Sequence, residues 1–310
     1  MRMPTSQEAP AVRPHSKRNL LVGVLLLAVA IGGVWILFPR RQPAQPIVDY
    51  PRLVPGMMMQ DVIFYSEALK RQMEYRVLMP AENGRRKLPV VYLLHGGGGT
   101  FRDWSNYTDV ARLGTGLLLV MPQGDNSYYA NAASSRQDRY EDYIIDDLAA
   151  DVAHRFPART DREGRAIVGV SMGGFGAVNL TFHHPEKFIF VAGISSAIDV
   201  PRRPFSFRRF GQSRRYRNLF GLSDSETRHK NDPFLEVRTA DPAKLPYFYL
   251  SCGQQEGLLA PNREFAALLD RYHIAHEFHS PPGEHDWNRW SAELPSVFEI
   301  LRKHLMVADH

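Results

Sequence analysis

The stretch Ala166–His184, AIVGVSMGGFGAVNLTFHH, constrains this 310-residue chain more than any other. Ala166–Val170 is a short apolar run of the kind that forms a strand buried on both faces. It leads into Gly169-Val170-Ser171-Met172-Gly173, a G-x-S-x-G pentapeptide, and a helix-forming segment, Gly174–His184, follows at once. Strand, sharp turn with a serine at its tip, then helix is the layout of a nucleophile elbow. The two flanking glycines have a steric purpose, because a Cβ at either place would meet the neighbouring strand or helix. The serine hydroxyl then stands at the end of a sheet and at a helix N-terminus. Free N–H groups and the helix dipole stabilise developing negative charge there. The alternative reading is a Gly/Ser turn that merely closes a βα unit. Separating the two requires a base, an acid and an oxyanion site elsewhere in the chain.

The first 41 residues differ from the rest. Met1–Arg18 is polar and basic, and Leu20–Phe38 is 19 residues without a charge, stopped by Arg40 and Arg41. As a helix that run is about 28 Å long, enough to cross a hydrocarbon core. It is longer than the apolar core of a cleaved signal peptide and lacks a clear cleavage site, so an uncleaved signal anchor is expected. The surplus of basic residues on its N-terminal side places residues 1–19 in the cytoplasm and the large domain outside it, in the periplasm or at the cell surface. Residues 39–56 are Pro-rich and read as a linker, leaving 57–310 as one catalytic domain. The formal charge of +5 belongs to the N-terminal part. It holds six Lys/Arg and one Asp/Glu, which leaves 32 of each beyond it. A nucleic-acid footprint is therefore not indicated. The one cysteine, Cys252, excludes an intrachain disulfide and reads as a small buried hydrophobe.

Within the domain, Asp61–Tyr65 and Gln72–Met79 alternate as an edge hairpin. Leu88–Leu94, Gly116–Met121, Phe188–Ile194, Tyr247–Cys252 and Ala275–Ser280 read as further strands, mostly continuous apolar runs. Asp103–Leu113, Tyr140–Phe156, Asn262–Tyr272 and Asp286–Leu305 read as helices, the last interrupted at Pro295. Alternation of this kind predicts a mainly parallel sheet with helices on both faces. Ligands bind such sheets at the C-terminal strand ends, where His95–Gly99, Ser171 and Gly253–Leu259 all fall. Residues 200–242 break the pattern, with seven arginines between Arg202 and Arg217, and read as a lid-like excursion.

A serine hydroxyl needs a base to take its proton. Among the histidines beyond the last strands, His285 lies in the loop PPGEHDW before the final helix, where a loop can carry an imidazole to the serine. Glu256 is the one carboxylate in GQQEGLL, the loop after Tyr247–Cys252, and is the candidate acid. Asp241 and Asp270 are fallbacks, and Asp286 suits an N-cap. Two backbone N–H groups must meet the oxyanion. Met172 supplies one, and the glycine loop supplies the other, with Gly97 chosen and Gly96 or Gly98 open. His95, Gly96 and Trp104 are expected to line the substrate site, with Tyr128, Tyr129 and Phe175 as further walls.

In order, LLHGGGGTFRDW, VMPQGDNSYY, GVSMGGFGA, SCGQQEGLL and PPGEHDWNRW resemble the esterase D-like α/β-hydrolases. That group includes tributyrin-type and feruloyl esterases, S-formylglutathione hydrolases and, more distantly, the antigen 85 mycolyltransferases. The resemblance runs from about Asp61 to Leu305. It implies an α/β-hydrolase fold, with Ser171 as nucleophile, His285 as base, and Gly97 and Met172 as oxyanion donors. The family's acid is usually an Asp in a C-G-x-x-D loop, and Glu256 departs from that pattern. A large lid and a membrane anchor are not general features of the group.

The expectation is a serine carboxylesterase acting on a small-molecule or lipid ester through a Ser-His-Glu triad, with no cofactor. The alternatives are an acyltransferase that delivers the acyl group to a lipid or sugar hydroxyl, and a catalytically silent binding module. His183, His184 and Glu186 could suggest a metal cluster, but histidines at a helix C-terminus suit its dipole, and no metal is expected. The arginine run reads as a solvated lid face, with anionic head groups or an acidic substrate as the other possibility.

Overall fold

A computed structural model describes residues 49–82 and 86–307. The anchor expected at Leu20–Phe38 lies outside them. Among the described residues no helix is long and apolar enough to cross a membrane.

Eight strands form one sheet: β1 (Met57–Ser66), β2 (Arg71–Pro80), β3 (Val90–Leu94), β4 (Leu118–Pro122), β5 (Arg165–Val170), β6 (Phe190–Ile194), β7 (Tyr247–Ser251) and β8 (His276–His279). Their order across the sheet is β1-β2-β4-β3-β5-β6-β7-β8. The hairpin β1–β2 is antiparallel and joins β4 antiparallel, and β4 to β8 run parallel. This is the mostly parallel, α/β-hydrolase-like sheet that the alternation of apolar runs predicts. The central strands are apolar on both faces because helices cover both. Val90, Tyr92 and Leu94 face one core with Ile167 and Leu180, and Val91 and Leu93 face the other with Val168 and Leu294. Each such side chain contributes about 1.5–3 kcal/mol of burial.

Several boundaries move. Asp103–Leu113 is two short helices, Asp103–Tyr107 and Val110–Leu113, because Thr108 is extended (φ −136°, ψ 166°) between them. Residues 140–155 are one amphipathic element whose middle, Tyr143–Leu148, widens into a π-helical turn. The last helix, Trp287–Val307, continues through Pro295. The edge hairpin is fixed by Arg76, whose buried guanidinium bridges Asp49 and Asp61 at 2.5–2.9 Å.

The excursion between β6 and β7 is more regular than its sequence suggests. It contains the helices Phe210–Phe220, Glu226–Lys230 and Pro233–Glu236. Tyr216 and Phe220 are buried against Phe175 of the post-elbow helix and Ala130 of the β4 loop. It therefore rests on the C-terminal side of the sheet as part of the same domain.

Candidate active site

β5 ends at Val170, and Ser171 turns the chain with φ +56° and ψ −113°. A non-glycine residue held there costs about 1–3 kcal/mol. The surroundings enforce it. The Ser171 N–H donates to the Ile194 carbonyl at 2.9 Å, and its carbonyl accepts from Ala197 at 3.0 Å and Phe175 at 3.1 Å. A Cβ on Gly169 would lie 2.0 Å from the Gly173 carbonyl oxygen, and one on Gly173 would lie 2.2 Å from that of Leu94. The helix Met172–His183 starts immediately after the turn.

The hydroxyl meets a hydrogen-bonded chain. Ser171 Oγ lies 2.9 Å from His285 Nε2, and His285 Nδ1 lies 2.6 Å from Glu256 Oε2. A carboxylate accepts only, so Nδ1 carries the proton and Nε2 presents its lone pair to the serine. The other oxygen of Glu256 accepts from Ser195 Oγ at 2.6 Å and from the Gly253 N–H at 2.8 Å. The Glu256 side chain is fully buried. Burial alone would raise its pKa. The hydrogen bonds from His285, Ser195 and Gly253 outweigh that and hold the carboxyl below the usual range, so it is an anion. Ser195 is itself fixed at φ +49° at the end of β6 and accepts from Trp290 Nε1 at 3.0 Å. Trp290 also sets its edge against the His285 ring, with centroids 4.9 Å apart and planes at 89°. Asp286 caps the last helix through the Arg289 N–H at 2.9 Å, as its position beside the loop predicts.

The glycine loop closes the other side. A Cβ on Gly96 would lie 3.5 Å from Ser171 Cβ, and one on Gly97 would lie 3.9 Å from Met172 Cβ. Met172 opens its helix, so its N–H has no carbonyl one turn back within the helix. The loop is held by the Gly98 N–H on Asn126 Oδ1 at 2.8 Å and by the Gly99 N–H on the Gly96 carbonyl at 3.1 Å. Beyond Asn126 opens a cleft of about 420 Å³ lined by Asp125, Asn126, Tyr140, Arg214, Arg215 and Asn218.

Two expectations are corrected. His95 does not line a substrate surface. It is fully buried, Nδ1–H donates to the Gly96 carbonyl at 2.8 Å, and Nε2 accepts the Gly124 N–H at 2.9 Å. That pattern requires the neutral ring, and burial lowers its pKa accordingly. Trp104 is likewise fully buried, packed edge-on to Trp287 at 5.4 Å. Both support the loops from beneath. Gly96 does face Ser171. Tyr129 and Phe175 are buried, so only Tyr128 of the three aromatic walls is partly exposed. Cys252 is buried as expected, its thiol pushed up to about 12 by burial and by Glu256. Sequence reasoning missed Ser195, Trp290 and Asn126. Ser195 was visible only as a polar residue at a C-terminal strand end.

A family model described as putative esterase matches residues 66–300. An acetyl esterase from Caldicellulosiruptor saccharolyticus is 24% identical over 264 residues, covering 80% of this chain and 99% of that protein. The diacylglycerol acyltransferase/mycolyltransferase Ag85B of Mycobacterium leprae is 23% identical over 287 residues, covering 81% of this chain and 86% of its own. Among solved structures, FphF, a fluorophosphonate-binding serine hydrolase of Staphylococcus aureus, has a TM-score of 0.69 at 22% identity, covering 81% of this chain and 99% of that one. At that identity the likeness is one of fold. With a hydroxyl, an imidazole and a buried carboxylate hydrogen-bonded in series at the end of such a sheet, the chain belongs to the putative esterase family and is a serine ester hydrolase.

Proposed function

We propose that this hydrolase is a carboxylesterase working through a Ser171–His285–Glu256 triad and a covalent acyl-enzyme. The observation that carries the reading is the pair of contacts at His285, 2.9 Å to Ser171 Oγ and 2.6 Å to Glu256. Ser171 Oγ attacks the ester carbonyl carbon while its proton passes to His285 Nε2. Glu256 stabilises the imidazolium. The carbonyl oxygen, now negative, faces the Gly97 and Met172 N–H groups. When the carbon–oxygen bond to the alcohol breaks, His285 returns the proton to the leaving oxygen. Water then repeats the sequence on the acyl-enzyme and releases the acid.

A second reading is favoured by one relative and one feature. The Mycobacterium leprae protein carries an acyltransferase name. The cleft beyond Asn126 carries Asp125, Ser134, Arg214 and Asn218 on its walls, groups that can hydrogen-bond a hydroxylated acceptor in place of water. Adding glycerol or a disaccharide during turnover of a nitrophenyl ester separates the two. Hydrolysis leaves free acid as the product at every acceptor concentration, and transfer diverts acyl groups to the acceptor. The triad itself is tested with a fluorophosphonate probe, which should label the full chain once, at Ser171, and leave Ser171→Ala unlabelled. Wild-type protein that hydrolyses esters but resists the probe would overturn the acyl-enzyme. We also read Leu20–Phe38 as an anchor that holds the catalytic domain outside the cytoplasm. Protease added to cells stripped of any outer membrane, with the cytoplasmic membrane intact, should then degrade residues 57–310.

A further inference from the structure

The excursion between β6 and β7 has a face used by neither the core nor the catalytic relay. From Val200 to Ser223 the chain has seven arginines and no acidic residue. The helix Phe210–Phe220 turns Ser213, Tyr216 and Phe220 inward. Phe205, Phe207 and Phe210 stay outside, 45%, 86% and 53% exposed, and their rings touch, with centroids 5.2 Å and 6.0 Å from Phe205. Leu222 is 58% exposed. Arg208 and Arg209 stand between Phe207 and Phe210, both exposed and without an ion-pair partner among the described residues.

Beside this ridge lies a small cleft of about 130 Å³, lined among others by Arg203, Phe205, Arg217, Leu222 and Arg228. Arg203 is balanced by Asp199 at 2.7 Å. Arg228 is buried and donates only to carbonyls, those of Pro201 (2.9 Å), Gly221 (2.7 Å) and Tyr216 (3.4 Å). No carboxylate among the described residues neutralises it. A buried cation compensated only by dipoles leaves a positive potential in the cleft beside it, which favours an anion.

We propose that this face docks on an anionic phospholipid bilayer, with the Phe205, Phe207 and Phe210 ridge entering the interface and the arginines holding head-group phosphates. Arg208 and Arg209 lie along the ridge to meet several phosphates, and the cleft of Arg217 and Arg228 admits one. The two halves of the chemistry belong together. Aromatic rings sit favourably at the boundary of head groups and acyl chains, and each nearby arginine adds attraction to an anionic leaflet. A soluble acidic partner would account for the arginines and leave three touching, exposed phenylalanines without a role. The proposal depends neither on the acyl chemistry nor on residues 20–38.

The test places a polarity-sensitive fluorophore at position 207 of the full chain through Phe207→Cys. Cys252 is buried and its thiol is pushed up to about 12, so labelling is selective. Detergent-purified protein is mixed with phosphatidylcholine vesicles with and without phosphatidylglycerol. The label should shift to the blue on the anionic vesicles alone, and high salt should reverse the shift. Arg208→Gln with Arg209→Gln should weaken that response roughly thirty-fold, the effect of two lost head-group attractions. Hydrolysis of a soluble nitrophenyl ester at the wild-type rate shows that the variant is folded. A label that stays dark on anionic vesicles while the chain is bound to them overturns the proposal. An equal shift on neutral vesicles removes the arginine component and overturns it as stated. The same shift on heparin or RNA without lipid assigns the face to polyanions and overturns it too.

Discussion

The helix Met172–His183 has a carboxylate–histidine pair at each end, and the two differ in their third partner. At the N-terminal end His285 joins Glu256 to Ser171. At the C-terminal end His183 Nδ1 lies 3.0 Å from Glu141 Oε1, and its Nε2 lies 2.7 Å from the Lys230 carbonyl. His184 Nε2 meets the same Glu141 oxygen at 2.9 Å. Both partners of His183 accept only, so the ring satisfies both as the imidazolium. Burial by itself lowers the His183 pKa, but Glu141 more than offsets it and the value is raised. His285 instead faces a hydroxyl, which can give up a proton. One pair is an ion pair, with the imidazolium favoured by two acceptors, and braces the helix against residues 140–155. The other keeps a lone pair directed at the Ser171 hydroxyl, the nucleophile of the proposed triad. The partner of the second nitrogen, rather than the carboxylate, separates a base from a structural ion pair.

The largest effect that can break this contrast comes from the histidines. His285→Asn should lower kcat for a nitrophenyl ester by about 10⁴-fold or more, because the serine loses its proton acceptor. His183→Asn should leave kcat within a few-fold. A large loss in the second variant at unchanged folding would show that the two pairs are not distinct. Next comes Glu256→Gln, which keeps the shape but removes the charge that stabilises the imidazolium. A loss of about 10³–10⁴-fold in kcat with a small change in KM is expected. Near-full activity would move the acid to another carboxylate.

Ser195→Ala sharpens the comparison at smaller scale. It removes one donor from Glu256 and the acceptor of Trp290 Nε1, and a hydrogen bond to a charged group is worth about 1.5–3 kcal/mol. A kcat loss of about ten-fold should follow, with the Glu256 carboxyl shifted upward. A Ser195→Thr variant should recover part of it. Steady-state rates of the three proteins check this order.

Much of this site was legible in the chain, for local reasons. The elbow announces itself because two glycines are forced by contacts of 2.0 and 2.2 Å to main-chain oxygens. His285 and Glu256 follow from being the fitting groups in two loops after successive strands. Ser195 and Trp290 were not legible, because their roles are made by contacts between residues 61 and 95 positions apart. His95 misled for a related reason. A histidine opening a glycine loop reads as exposed, yet both its nitrogens are consumed by backbone groups. The helix Phe210–Phe220 was hidden because Ser213 stands where its inward stripe would carry an apolar residue, and arginines fill the rest.

The smallest effect is on stability, and its sign follows from the two shifts at the Glu141–His183 pair. Burial would raise the Glu141 pKa, but His183 and His184 depress it strongly, so its contribution is present above the ordinary carboxylate range and is lost as pH falls. The His183 pKa is raised, so its contribution is complete below the ordinary 6.5 and is lost as pH rises through the higher folded value. The pair therefore stabilises most between those limits. Glu141→Gln should cost about 2 kcal/mol there, measured by urea unfolding, with kcat unchanged. The difference from wild type should shrink towards both acid and alkaline pH. A difference that stays constant across that range would mean that His183 is neutral, and the proposed division between the two pairs would then rest on catalysis alone.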